Sequence, residues 1–204
     1  MPSPEFLAVI AITCLAVISP GPDFIVTSRN TLVAGRITGL ATAFGVGFGL
    51  TVHVAAAIIG VGVLLTGSAM AFTVAKTLGG AYLIWLGIRT FRGATNDIPE
   101  GGRTAMTPVQ GMFWGFVTNA TNPKTAIFVV SLFLTVISPG TPLMTQLGYG
   151  VFIAMAHVIW FATVALLLSA PAVRAGLLSV KKSMERAFGA ALVFFGGALL
   201  TGSR

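Results

Sequence analysis

Residues 6–28 read FLAVIAITCLAVISPGPDFIVTS. Thirteen residues, Phe6 to Ile18, are apolar except Thr13, and the run resumes at Phe24. Crossing the hydrocarbon of a bilayer takes about 20 mainly apolar residues. Phe6–Ser28 therefore reads as a membrane span, and Ser19-Pro20-Gly21-Pro22-Asp23 interrupts it near its middle. Each proline lacks an amide hydrogen and clashes with the carbonyl four residues back, while Gly21 adds backbone freedom. A regular helix through this stretch is not expected. In lipid, a broken helix persists only where protein or a wet cavity takes up the freed carbonyls.

The rest of the chain supports lipid as the solvent. Its 204 residues are 55% hydrophobic and 8% charged, and the mean hydropathy is +0.94. A soluble domain carries about 25% charged residues to cover its surface. The net charge of +7 does not indicate a nucleic-acid partner, because the basic residues punctuate apolar runs and form no clustered face. A single cysteine, Cys14, excludes internal disulfides, CxxC chemistry and a multi-cysteine metal site. The apolar N-terminus lacks the basic region of a secretory signal, Glu5 being acidic, and is expected to be a retained span.

Six spans are expected: Phe6–Ser28, Gly39–Leu65, Ala69–Ile88, Val109–Val136, Gln146–Ala170 and Ala187–Thr201. The connections after the first, third and fifth hold Arg29, Arg36, Arg89, Arg92, Arg103, Arg174, Lys181, Lys182 and Arg186. Lys76 and Arg204 fall on the other side, and Lys124 lies within a span. Basic residues collect on cytoplasmic loops, so both termini are expected outside.

The halves repeat. An offset of 101 sets Pro22-Asp23 on Pro123-Lys124, and one of 104 sets His53 on His157, the chain's two histidines. An offset of 109 sets Gly80 and Gly87 on Gly189 and Gly196. With three spans per half, the second copy enters from the opposite side. The expected fold is an all-α integral membrane protein of six transmembrane helices in one domain, residues 1–204. It forms two inverted-topology three-helix repeats, about 5–92 and about 107–204, with helices 1 and 4 broken at proline.

The second break, Asn119-Ala120-Thr121-Asn122-Pro123-Lys124, matches the first. Paired breaks in corresponding halves point to a transport site near the midplane. Pro20, Gly21, Pro22, Asp23, Asn119, Asn122, Pro123 and Lys124 are the candidate substrate or ion site. Asp23 is read as a proton-coupling carboxylate or a ligand for an amino group, and Lys124 as facing a carboxylate. A structural Asp–Lys ion pair, or a Lys124 that snorkels to an interface, is the plainer reading. His53 and His157 are candidates for a proton relay or for ordinary interhelical hydrogen bonding. No metal-ligand cluster, cofactor motif or catalytic Ser/His/Asp set is found, so neither an enzyme nor a metal site is expected. Paired glycines such as Gly45, Gly47 and Gly49 read as close helix packing, and they make a homodimer a candidate assembly.

The Ser19-Pro20-Gly21-Pro22 element, the Gly-rich second span and Gly79–Gly87 resemble the LysE/RhtB family of amino-acid exporters. So does Gly115-Phe116-x-x-Asn119-x-x-Asn122-Pro123-Lys124. The likeness runs over essentially the whole chain. It implies an inner-membrane carrier that expels amino acids or their derivatives, driven by the proton gradient. With one acidic residue inside a span, a neutral or zwitterionic substrate is favoured over a dicationic one. A metal-ion exporter and a non-transporting scaffold are the alternatives.

Overall fold

The computed structural model describes residues 4–66, 69–92, 106–138 and 140–169. Near the C-terminus it describes 183, 186, 187, 189–194, 196–198, 200 and 201. Every regular element among the described residues is a helix. They are α1 (Pro4–Ile18), α2 (Pro22–Ala34), α3 (Arg36–Thr66), α4 (Ala69–Phe91), α5 (Pro108–Ala120), α6 (Pro123–Val136) and α7 (Leu143–Leu168). A shorter apolar helix, α8 (Gly189–Ala198), follows. The expected sixth span and the basic loop positions Arg103, Arg174, Lys181, Lys182 and Arg204 fall wholly or partly outside the described residues.

Both breaks lie where the prolines place them. α1 ends at Ile18, and α2 begins at Pro22 after a bend of 52°. α5 ends at Ala120, and α6 begins at Pro123. Proline suits the first helical position, where its missing N–H would be unpaired anyway. Pro22, Pro108 and Pro123 each take that position. Gly35 ends α2 at φ +88°, a conformation that disfavours a side chain, and its N–H reaches the Thr31 carbonyl. Thr107 and Gln110 close a reciprocal capping box at the start of α5.

Among the described residues, two helices are by themselves long and apolar enough to cross a membrane, within Arg36–Gly60 and Leu143–Leu168. The bent pair α1–α2 makes a third. α5 and α6, with 13 and 14 residues, each span only about 20 Å at 1.5 Å per residue, short of the ~30 Å core. α4 is long enough but carries Lys76 and Arg89.

α3 is the hub, packed against α2, α4, α5, α6 and α7. Its glycines allow this. A Cβ on Gly45 would strike the Met112 carbonyl of α5, and one on Gly115 of α5 would strike the Thr42 backbone of α3. Gly47 faces Val158 of α7. Gly60, by contrast, faces open space. Large apolar side chains such as Phe44, Phe48, Val151, Met155 and Ile159 stay exposed, as on a helix surface bathed in lipid.

The buried apolar core is in two parts. One gathers Val9, Leu50, Val54, Phe133, Ile137, Tyr149 and Ile153. The other gathers Val17, Phe24, Ala43, Val46, Phe161, Val164 and Leu168. In α3 and α7 the two sets are consecutive along the helix, and they meet near His53 and His157, at the level of both breaks.

Candidate functional site

The breaks meet face to face. Asp23, in the first turn of α2, is 6% exposed. Its Oδ2 accepts hydrogen bonds from Asn119 Nδ2 at 3.0 Å, Asn122 Nδ2 at 3.1 Å and Thr125 Oγ1 at 3.3 Å. All three donors come from the second break. In return, Lys124 Nζ donates to Ser19 Oγ at 2.7 Å, with longer contacts to Pro20 O at 3.3 Å and Ser19 O at 3.5 Å. Each break thus supplies the partners for the other's ionisable residue. An insertion cost of about 2.5–3.5 kcal/mol per central charge is of the same order as two charge-assisted hydrogen bonds, about 1.5–3 kcal/mol each.

The local sequence explains the geometry. Asn122 is the N-cap of α6, its Oδ1 accepting from Lys124 N at 3.0 Å. The same amide therefore caps a helix with its oxygen and serves Asp23 with its nitrogen. Because α2 and α6 both begin here, their N-terminal dipole ends face the site, a setting that favours negative charge. Where α1 and α5 end, carbonyls are left over. Lys124 reaches those of Ser19 and Pro20, and His53 Nε2 donates to the Asn119 carbonyl at 2.8 Å.

A cavity of about 20 Å³ lies between Asp23, Lys124 and Asn122 on one side and Phe128, His157 and Phe161 on the other. That is room for one or two water molecules by a probe-sized measure. Two buried acceptors, Asp23 Oδ1 and Asn119 Oδ1, take no hydrogen bond from the described residues. Asn119 itself is fully buried. Chemically, this is a buried carboxylate oxygen without a donor among the described residues, on the wall of a cavity that an ammonium donor also lines.

The expected residues divide in the structure. Gly21, Asp23, Asn122 and Lys124 line the cavity, and Asn119 stands behind Asp23. A Cβ on Gly21 would come 3.2 Å from Lys124 Nζ. Pro22 and Pro123 are exposed at helix starts, and Pro20 is buried in the first break without lining the cavity. They shape the breaks. The snorkelling reading of Lys124 does not fit, because its ammonium turns inward to Ser19. The two histidines differ despite equivalent positions. His157 lines the cavity and donates from Nδ1 to its own helix at Ile153 O, 2.8 Å away, whereas His53 is tied to Asn119. Ser19, Thr125, Phe128 and Phe161 are additional. Ser19 and Thr125 flank the prolines in sequence, which is a usable signal, while the two phenylalanines carry none.

The chain is similar to known proteins over most of its length. A family model described as LysE type translocator matches residues 14–203. The chain is 32% identical over 204 residues to a homoserine/homoserine lactone efflux protein of Salmonella typhi, covering 98% of this chain and 97% of that protein. It is 27% identical over 202 residues to a threonine efflux protein of Escherichia coli (strain K12), covering 94% and 95% respectively. No solved structure gives a significant match.

Proposed function

The chain belongs to the LysE-type translocator family, and from that premise we propose that it is a secondary-active exporter of neutral or zwitterionic amino acids or their derivatives. It works in the inner membrane by alternating access, coupled to protons. The observation that carries this reading is the reciprocal bonding of the two breaks around Asp23 and Lys124. A zwitterion brings what the site lacks. Its ammonium group donates to Asp23 Oδ1, a buried acceptor without a partner among the described residues. Its carboxylate meets Lys124 and the N-terminal ends of α2 and α6. Relatives are named for efflux of threonine and of homoserine, both small zwitterions, and of homoserine lactone, a derivative without a free carboxylate.

The topology proposed is six spans in two inverted halves with both termini outside. Packing of α4 against α8 supports it. A Cβ on Gly80 would meet the Gly196 carbonyl at 3.1 Å, and one on Gly87 would meet the Gly189 carbonyl at 2.6 Å. With Gly80 equivalent to Gly189, and Gly87 to Gly196, one contact is the image of the other under a twofold operation. Such an axis is what a rocking motion between halves requires.

Proton coupling is assigned to Asp23, the carboxylate of the site. When the substrate leaves, a proton takes its place at the bare oxygen, so the carboxyl never returns empty through the membrane. The test uses inside-out vesicles with an imposed pH gradient and a panel of radiolabelled amino acids. Gradient-driven uptake is expected from the unaltered chain and is expected to vanish in Asp23→Asn. Unchanged proton-coupled uptake in Asp23→Asn removes Asp23 from the mechanism. Flux of no amino acid, with protection of cells against metals instead, moves the assignment to a metal exporter.

A further inference from the structure

A second cavity, about 40 Å³, adjoins the first. Phe128 and Leu192 line both and form the partition between them. On the far side the walls are Ile12, Leu83 and Leu132, with Ser131 and Thr135. One stripe of α6 joins the two spaces. Thr125, Phe128, Ser131 and Thr135 follow at intervals of three and four residues, so they share a face. Thr125 bonds to Asp23 at one end, and Ser131 stands in the second cavity at the other.

Ser131, like Thr13, Thr27 and Ser28, departs from a habit of this chain, and of these four Ser131 lines the second cavity. Thr31, Thr42, Thr77, Thr121, Thr135 and Thr163 each donate their hydroxyl to the carbonyl four residues back. That is the usual way to satisfy a hydroxyl inside a helix. Ser131 is 2% exposed, and its Oγ has no hydrogen-bond partner among the described residues. An unpaired buried hydroxyl on the wall of an apolar cavity is set for a partner that is absent when the cavity is empty.

We propose that this cavity is the side-chain subsite of the carrier, and that Ser131 determines its specificity by selecting amino acids with a hydroxyl on the β or γ carbon. The proposal rests on the amino-acid reading given above. Adjacency supports it: Thr125, bonded to Asp23, and Ser131 lie on one helix about 9 Å apart along its axis, and Phe128 between them lines both cavities. Apolar walls around one hydroxyl accept a short side chain and reward a polar tip, and a swing of Phe128 opens the partition.

The full-length chain in proteoliposomes tests this by counterflow of threonine against valine, which differ by a hydroxyl for a methyl, with alanine as reference. In Ser131→Ala the threonine-to-valine ratio is expected to fall about two- to tenfold, the range of one hydrogen bond. Because it is a ratio within one preparation, differences in expression cancel. Ser131→Leu fills the cavity and is expected to keep alanine flux while losing threonine and valine. An unchanged ratio in Ser131→Ala overturns the subsite, as does equal loss of all three substrates in a folded Ser131→Leu. If the unaltered chain carries none of the three, the amino-acid reading itself fails and the subsite with it. Where Ser131→Leu does not fold, the Ser131→Ala ratio decides alone.

Discussion

Asn122 shows how closely function and folding share atoms here. Its Oδ1 caps α6 through Lys124 N, and its Nδ2 donates to Asp23. The two jobs separate by substitution. Serine is an equally good N-cap but, being shorter, does not reach Asp23 with a donor while it caps. Asn122→Ser is therefore expected to keep the cap of α6. It is also expected to lose a charge-assisted bond worth about 1.5–3 kcal/mol, and transport is expected to fall at least tenfold. Asn122→Ala loses both, with about 1 kcal/mol of additional destabilisation. Thermal unfolding in detergent, set beside transport in proteoliposomes, checks the pair. Equal melting of the serine and alanine variants counts against the capping role. The Asp23 and Lys124 positions are legible in sequence because an ionisable residue in an apolar run is itself an anomaly. Their partners are only half legible. Asn119 and Asn122 stand beside a proline, but nothing local shows that their amides cross some hundred residues of chain to reach Asp23.

Among the helices, the breaks and the glycine seams were readable for the same reason: proline and glycine act on the backbone of their own segment. The ends of α1, α2, α5 and α6 fall at the prolines. α2, however, continues to Ala34, six residues past the expected end of the span. Asn30 and Thr31 look like interface residues, yet both are buried, and Asn30 Nδ2 donates to Thr42 Oγ1 of α3 at 3.0 Å. A tertiary bond overrides the local reading. The glycines themselves sort by neighbour. On Gly115 a Cβ meets the Thr42 backbone, which cannot swing aside, whereas on Gly148 of α7 it meets nothing within 4 Å. Gly115→Ala is expected to force α3 and α5 apart at a cost of about 1–3 kcal/mol. Gly148→Ala is expected to be neutral, or to gain up to about 1 kcal/mol from helix propensity. Unfolding midpoints of the two variants check this. A Gly115→Ala variant as stable as Gly148→Ala removes the seam from the account.

Taken across its whole thickness, the molecule buries more polar side chains on one side of the breaks, beside the cluster of Phe24, Val46 and Phe161, than on the other. Between the breaks and the end carrying Arg29 and Arg36, the buried residues include Thr27, Ser28, Asn30, Thr31, Thr38 and Thr42. Asp23, Thr27, Asn30 and Thr31 follow one face of α2, and Thr27 Oγ1 and Ser28 Oγ have no partner among the described residues. Toward the other end the buried positions of α1 and α6 are apolar except Thr13 and Ser131, and Phe133, Ile137 and Tyr149 belong to one apolar cluster there. Polar groups that pack against one another lose little when water enters between them, whereas an apolar plug loses its burial at about 25 cal/mol per Å². The polar half is thus the easier one to open, and in the orientation proposed from the loop charges its basic end is the cytoplasmic one. For an exporter that is the loading side. Single cysteines at Thr27 and Asn30, in a chain with Cys14→Ser, are expected to react with a membrane-impermeant thiol reagent applied to inside-out vesicles. A cysteine at Phe133 is expected to stay protected from that side. Saturating substrate is expected to slow labelling at Thr27, one helical turn from Asp23. Labelling of Thr27 and Asn30 in right-side-out vesicles alone would reverse the orientation. Protection from both sides would show that the α2 face is a fixed hydrogen-bonding seam and that substrate reaches Asp23 by another route.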